Sequence, residues 1–147
     1  MNKIEKYQEL YSKAEALLSG ESNELANLSN FCALIHNEFG FWWTGFYLIE
    51  NEELVLGPFQ GPVACTRIAF GKGVCGTAWE QAKSIVVPDV HAFEGHIACS
   101  SESNSEIVVP YFRHNNIRGV FDIDSKDFNT FDAIDKQYLE KLLSLLN

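Results

Sequence analysis

The chain has 147 residues, of which 46% are hydrophobic and 13% aromatic, enough apolar material for one compact domain but too little for two. The formal net charge of -9 at pH 7, without a Lys or Arg cluster to override it, argues against nucleic acid and anionic membranes as partners. Long apolar runs are absent, and charges interrupt the first 20 residues, so neither a membrane span nor a secretory signal is predicted. We therefore expect a cytoplasmic protein.

Two amphipathic helices are predicted at the N-terminus. The first spans residues 3–18 and ends before Gly20, a residue common at helix ends. Its apolar positions are Ile4, Tyr7, Leu10, Tyr11, Ala14, Leu17 and Leu18. The second helix is expected from near Ser22 to Gly40. Its predicted buried stripe consists of Leu25, Leu28, Phe31, Cys32 and Ile35, on which Cys32 is most simply a small core residue.

Strand-like segments follow in chain order. "FWWTGFYLIE" and "LVLGPF" flank a polar turn and predict a hairpin, and a short strand is expected around "TRIAF". The segment "GKGVCGTAWEQAK" is typical of a glycine-rich loop that leads into a short helix. "SIVVP" predicts another strand, and "EIVVPYF" with "IRGVFDID" predicts a second hairpin. The closing "FDAIDKQYLEKLLSLL" has the periodicity of an amphipathic helix.

The order of these elements indicates an α+β fold, because strands cluster and do not alternate regularly with helices. We expect one domain over residues 1–147, with an antiparallel sheet of five or six strands. Helices from both chain ends should pack on one face of that sheet.

Three carboxylates are expected near one end of this sheet. Asp122 and Asp124 are two residues apart, so on a strand both side chains face one side while Phe121 and Ile123 face the other. If the second hairpin forms, Glu106 can reach the same end. Neighbouring acids repel each other, which can raise one pKa to create a proton donor, or they can grip a cation. Any one of these acids alone fits an ordinary solvated sheet face, but three near a loop cysteine favour a site.

The remaining cysteines also point to chemistry. In a reducing compartment, a set such as Cys65, Cys75 and Cys99 more often indicates catalysis, redox sensing or metal binding than a disulfide framework. Cys99 lies in a polar, serine-rich loop, although unpaired cysteines normally prefer the interior. A zinc site would have to combine Cys99 with His91 and His96, and we favour a loop-shaping role for the two histidines.

The ordered motifs "LVLGPFQG", "GKGVCGTA", "VPDVHAFEGHIACSSES", "SEIVVP" and "GVFDIDS" resemble those of the free methionine-(R)-sulfoxide reductases, small enzymes built on the GAF fold. Cys65, Cys75 and Cys99 occupy the cysteine positions of that family. The chain departs from the family pattern in "GPVAC", where a basic residue is usual after the glycine, and at Phe121, where an aliphatic residue is commoner.

The resemblance implies reduction of free L-methionine-R-sulfoxide by thiol chemistry. Cys99 would be the nucleophile and would become a sulfenic acid, which a second thiol traps as a disulfide. The resolving role would fall to Cys65, with Cys75 as a second or relay thiol or simply a small residue at a helix start. A thioredoxin-type dithiol would then reduce the disulfide, and neither a metal nor another cofactor is implied.

The resemblance also implies substrate contacts. Glu106, Asp122 and Asp124 would hold the α-ammonium group, and one of them, if protonated, would polarise the sulfoxide oxygen. Trp43 would pack on the terminal methyl group, with Tyr47 beside it, although aromatic residues on strands are more commonly core. Backbone N–H groups near Ile97, Ala98 and Cys99 are candidates for binding the carboxylate.

Two other classes of function stay open on the sequence. A GAF fold can bind a small ligand as a sensor, but such domains usually lie beside an output domain in longer chains. The same cysteines could also switch a conformation as a redox or metal sensor without turnover. The amphipathic terminal helices offer a surface for a homodimer.

Overall fold

A six-stranded antiparallel sheet forms the centre of the molecule, a computed structural model in which residues 1–96 and 102–147 are described. The strands are β1 (Trp43–Glu50), β2 (Glu53–Gln60), β3 (Arg67–Ala69), β4 (Ile85–Val87), β5 (Ser105–Arg113) and β6 (Asn116–Ser125). Their order across the sheet is β3-β2-β1-β6-β5-β4, with every neighbouring pair antiparallel. The two predicted hairpins are β1–β2 and β5–β6, and β1 pairs with β6 to join them.

Four α-helices accompany the sheet, at positions close to those predicted. They are α1 (Lys3–Leu18), α2 (Glu24–Phe39), α3 (Gly73–Gln81) and α4 (Ala133–Leu143). The side chains of Asn2 and Asn23 accept backbone N–H bonds at the starts of α1 and α2. Gly40 ends α2 with φ at +67°, a conformation that glycine adopts without steric cost.

The main core lies between one face of the sheet and helices α1, α2 and α4. It joins helix residues such as Tyr7, Phe31 and Leu139 to Phe121 and Ile123 of β6. The expectation that helices from both chain ends share one face is therefore confirmed. Cys32 is fully buried in this core and its thiol donates to the Pro58 carbonyl at 3.3 Å, as expected of a small core residue.

A second, smaller core covers the opposite face of the sheet, beneath α3. Val74, Cys75 and Ala78 of α3 pack here with Val108 of β5 and Val120 of β6. The alternation along β6 thus assigns Phe121 and Ile123 to the main core and the even-numbered residues of that stretch to this second face. The second face is the one that carries the candidate site.

One predicted core position is wrong. Leu25 is 65% exposed, because the side chain of the preceding residue, Glu24, occupies the sheet-facing position and accepts bonds from Tyr111 and Arg118. Among the apolar positions of α1, Ile4 and Leu17 are 41% and 43% exposed, since they lie at the borders of the buried stripe. The buried residues of α1 are Tyr7, Leu10, Ala14 and Leu18.

None of the helices within the described ranges has the length and hydrophobicity that crossing a bilayer requires.

Candidate functional site

A pocket opens on the second face of the sheet, between β1, the loop after β2, the start of α3 and the ends of β5 and β6. Its floor contains three acidic side chains and one thiol, and one of its walls is aromatic while the others are mainly aliphatic. The residues that line it include Trp42, Trp43, Tyr47, Pro62, Val63, Ala64, Lys72, Val74, Cys75, His96, Ser103, Glu106, Asp122 and Asp124.

The three predicted carboxylates meet in this floor. Glu106 is the register partner of Asp124 in the β5–β6 hairpin, and Asp122 follows on the same face of β6. Glu106 and Asp122 are each only 5% exposed, and Asp124, which is partly exposed, accepts a 3.3 Å bond from the Ser103 hydroxyl. The solvated-face alternative therefore does not describe these acids. One oxygen, Asp122 Oδ1, is buried with no hydrogen-bond partner among the described residues.

Burial and mutual repulsion raise the pKa values of all three carboxyl groups well above their ordinary range. For each acid desolvation is the larger cause, followed by the charge of a neighbouring acid. Three such groups in contact cannot all ionise near neutral pH, because each new charge is opposed by those already present. The cluster can therefore hold protons at neutral pH while still attracting a cation.

Cys75 brings a thiol to the same cluster from the first turn of α3. It is 4% exposed, and its Sγ lies within 4.8 Å of an oxygen of both Glu106 and Asp122. Desolvation and the charge of Asp122 raise the pKa of this thiol well above its usual value. Cys75 is thus a protonated donor at neutral pH, whereas a reactive cysteine needs a lowered pKa.

Trp43 and Tyr47 form the aromatic wall. Their rings lie 5.9 Å apart, and Trp43 also stacks on Phe59 at 5.3 Å. Trp43 Nε1 donates to the Pro62 carbonyl at 3.0 Å, and the Tyr47 hydroxyl donates to the Cys65 carbonyl at 2.9 Å. The two rings are 4% and 2% exposed, so they belong to the second core and line the pocket at once.

The cysteine loop between β2 and β3 is therefore tied to β1 by two side chains. Cys65, in this loop, is disulfide-bonded. Cys32 of α2 and Cys75 of α3 are free thiols. The predicted nucleophile Cys99 and the predicted carboxylate-binding residues Ile97 and Ala98 lie outside the described residues.

The two histidines occupy different surroundings. His91 forms part of a short 3-10 helix, Val90–Ala92, and its Nε2 lies 3.0 Å from Asn104 Oδ1, as expected of a residue that shapes the loop. His96 instead lines the pocket, with Nε2 3.9 Å from Glu106 Oε1. Desolvation, and to a lesser degree His91, lowers the pKa of His96.

Trp42 and Ser103 are among the pocket residues that the sequence analysis did not name, and it expected His96 to shape the loop and not to line the pocket. Trp42 precedes β1, and its buried Nε1 has no acceptor among the described residues. Adjacent residues of a strand point to opposite faces, so the pair "WW" gave no signal that both rings reach one pocket. For Ser103 the nearest signal is its position just before β5, beside the predicted acidic cluster.

The chain was compared with protein families and with known proteins of similar sequence. A family model described as GAF domain matches residues 24–146. The chain is 49% identical to the free methionine-R-sulfoxide reductase of Escherichia coli strain K12, over 99% of this chain and 89% of that one. It is 56% identical to GAF domain-containing protein A of Dictyostelium discoideum, over 99% and 93% of the two chains.

A solved structure of the same kind of enzyme also matches the fold of this chain. The free methionine-R-sulfoxide reductase of Neisseria meningitidis, in complex with its substrate, superposes with a TM-score of 0.96 at 47% identity, covering 99% of this chain and 89% of that one. The chain belongs to the free methionine-R-sulfoxide reductase family of GAF domains. This membership confirms the resemblance identified from the sequence motifs, and it makes the chain a member of an oxidoreductase family.

Proposed function

We propose that this member of the family reduces free L-methionine-R-sulfoxide to methionine with cysteine thiols as the electron source. The observation that carries the proposal is the cluster of Glu106 and Asp122, both buried, and the partly exposed Asp124 on the floor of a pocket with an aromatic wall. The relative from Neisseria meningitidis was solved with its substrate, and this chain matches it over nearly its whole length.

The acidic floor accounts for selection of a free amino acid. An α-ammonium group placed among the three carboxyl groups would offset their mutual repulsion, and the bonds would be charge-assisted. A methionine sulfoxide within a polypeptide has an amide in that position and cannot supply the charge. A site built for a polar group rejects analogues that lack it, because its own buried polar atoms are then left unpaired.

The same floor provides the proton that sulfoxide reduction needs. The Cys99 thiolate attacks the sulfoxide sulfur, the oxygen passes to Cys99 as a sulfenic acid, and methionine is released. One carboxyl group of the cluster, kept protonated by its raised pKa, donates to the sulfoxide oxygen, while an ionised neighbour holds the ammonium.

Resolution follows when the Cys65 thiol attacks the sulfenic acid, giving a Cys65–Cys99 disulfide and one water. Overall, two thiols and a sulfoxide give a disulfide, methionine and water. Two findings support Cys65 over Cys75 in this role: Cys65 is disulfide-bonded, and Cys75 is a buried free thiol with a raised pKa.

The remaining contacts complete the proposal. The Trp43 ring, with Tyr47 beside it, would pack on the terminal methyl group of the substrate, and backbone N–H groups of Ile97 and Ala98 would bind its carboxylate. A thioredoxin-type dithiol would reduce the disulfide. We further propose that the protein acts in the cytoplasm and needs neither metal nor prosthetic group, and that the terminal helices provide a homodimer contact.

The test measures methionine release with dithiothreitol as reductant. The substrates are the free R and S sulfoxides and the N-acetylated R form, which differs from the first chiefly by the loss of the ammonium charge. We expect turnover of the free R form alone, loss of turnover in Cys99→Ser, and wild-type rates in Cys32→Ser as the matched core control. Absence of turnover with any substrate would contradict the function and favour a ligand-sensing GAF domain. Equal rates with the acetylated form would contradict the proposed role of the acids.

A further inference from the structure

The pocket floor contains a group of atoms that is unusual for an ammonium site. Cys75 Sγ and one oxygen each of Glu106 and Asp122 lie within 4.8 Å of one another, and we call these three residues the acid–thiol cluster. An ammonium group needs only oxygen acceptors. A sulfur atom converging with two carboxylates is instead the donor set of a borderline-soft metal ion.

A fourth donor lies beside the cluster. His96 Nε2 is 3.9 Å from Glu106 Oε1, and both residues line the same pocket. The neutral imidazole of a histidine is a common metal ligand. His96 lies outside the group of ligand atoms within 4.8 Å of one another, so its ring would have to move toward the ion to complete a tetrahedral set of one sulfur, one imidazole nitrogen and two carboxylate oxygens.

An independent observation points to a missing partner in the cluster. Asp122 Oδ1 is buried without a hydrogen-bond donor among the described residues, on a side chain that is 5% exposed. A buried carboxylate oxygen without a partner lowers the stability of the fold. A ligand that enters the pocket and binds this oxygen would offset that loss.

We propose that the acid–thiol cluster, together with His96, binds Zn²⁺ or a similar divalent ion when Cys65 is in its disulfide. The ion would be a reversible occupant and not a cofactor of the reaction. Binding displaces the thiol proton of Cys75 and the protons held by the two carboxyl groups, and the metal charge then offsets the repulsion between the acids.

Occupancy would have a functional consequence, which rests on the function proposed above. The metal and the substrate ammonium would use the same two carboxylates, so they would compete. A reductase in its disulfide state would then hold zinc when free methionine sulfoxide is scarce, and its pocket would be blocked to substrate.

The experiment uses the disulfide-containing protein, verified by intact mass, so that reactive thiols do not capture the metal. Calorimetric titration with ZnCl₂ measures stoichiometry and affinity. Titration with Co²⁺ reports sulfur ligation, because a cobalt–thiolate bond gives a charge-transfer band in the near ultraviolet. The variants are Cys75→Ser and His96→Asn, with Cys32→Ser as the matched control because it removes the other free thiol.

We expect one Zn²⁺ per chain and a cobalt–thiolate band in the wild type and in Cys32→Ser. Cys75→Ser should lose the band, and both site variants should bind zinc more than about tenfold more weakly, since even the loss of an outer partner of a metal ligand costs about 10–100-fold. Circular dichroism establishes that each variant is folded, and a variant that unfolds is replaced by Cys75→Ala or His96→Gln. Failure of the wild type to bind zinc, or equal affinity in wild type and Cys75→Ser, would overturn the proposal.

Competition separates the two proposals. Addition of free methionine-R-sulfoxide should weaken zinc binding to the wild type. Stoichiometric zinc at Cys75 without such competition would support the metal site and contradict the proposed ammonium site. Normal reductase turnover with no zinc binding would support the proposed function and contradict the metal site.

Discussion

The Tyr47 hydroxyl donates a 2.9 Å hydrogen bond to the backbone carbonyl of Cys65, and this bond fixes the cysteine loop to the strand that forms the pocket wall. Burial and the nearby acids raise the pKa of Tyr47, so its hydroxyl keeps the proton and is a donor at neutral pH. A residue expected from the sequence to contact substrate thus also positions a cysteine.

Tyr47→Phe should slow disulfide formation more than it affects release of the first methionine. The ring and its packing remain, but the loop loses a hydrogen bond worth about 1 kcal/mol, or about fivefold in the population of the correct loop conformation. Rapid-quench measurement of methionine, combined with trapping of sulfenic acid by dimedone, separates the two steps. An unchanged rate of disulfide formation would show that the bond does not position Cys65.

Stability should depend on pH through the acidic floor. The folded pKa values of Glu106 and Asp122 are raised above their ordinary values of 4.5 and 3.8. Their contribution to the free energy of unfolding is therefore fully present below about pH 4 and is lost as the pH rises through the folded pKa values. Asp122→Asn removes one titrating group and one repulsive charge.

The free energy of unfolding of the wild type, relative to that of Asp122→Asn, should therefore decrease with rising pH, by at most about 1.4 kcal/mol per pH unit. Urea unfolding of the disulfide-containing proteins between about pH 5 and 8 measures this difference. Glu52→Gln, in the exposed β1–β2 turn, is the matched control and should run parallel to the wild type. A constant difference for Asp122→Asn would mean that the folded carboxyl group is ionised throughout this range, as it is in the unfolded chain, and would contradict its raised pKa.

Cys75 and Cys65 should respond differently to the same substitution. Cys75→Ser keeps a hydroxyl that can donate to Asp122, so we expect a modest loss of turnover and an intact Cys65–Cys99 disulfide. Cys75→Val removes the polar hydrogen and should cost about 1–3 kcal/mol, because the buried carboxyl groups beside it then face a methyl group.

In contrast, Cys65→Ser should release one methionine and then stall with a sulfenic acid on Cys99. Peptide mass spectrometry after a single turnover identifies the bridge in each protein. A Cys75–Cys99 bridge in the wild type would reverse the assignment of the resolving cysteine.

Gly45→Ala should damage the pocket wall. A Cβ at this position would lie 2.6 Å from the Trp43 ring and would also collide with Phe59, so the indole has to shift. We expect a loss of about 1–3 kcal/mol in stability, as for other overpacked sites, and a raised KM for the sulfoxide. Gly57→Ala on the neighbouring strand is the control, because its new Cβ would meet only the flexible Leu48 side chain at 3.3 Å and a carbonyl at the same distance. A normal KM for Gly45→Ala would show that the position of the Trp43 ring is not needed for binding.

The fold could be predicted because the hydrophobic period changes clearly along the chain, from helical to alternating and back. The prediction of a buried residue failed at Leu25, where a neighbouring charged side chain decided the local packing. Leu25 has the spacing of a core residue, but Glu24 reaches Arg118 and Tyr111 and turns Leu25 toward solvent. Long-range pairing of this kind is not encoded in the local pattern.

The acidic floor could be predicted from two elementary rules, the two-residue repeat of a strand and the register of a hairpin. Trp42 and His96 could not, because they reach the pocket from segments outside the sheet, where neither period applies. The functions assigned to Trp43, Tyr47 and the acids remain predictions, and Cys99, Ile97 and Ala98 lie beyond the described residues.

The alternation along β6 has a consequence for how this protein can vary. Phe121 and Ile123 serve only the main core, and Asp122 and Asp124 face only the pocket, although all four are consecutive in the chain. A substitution that remodels substrate choice at the even positions leaves the packing of the odd positions in place, and the reverse also holds. Mutations that change substrate specificity and mutations that change thermal stability can therefore arise independently of each other at adjacent residues of this strand.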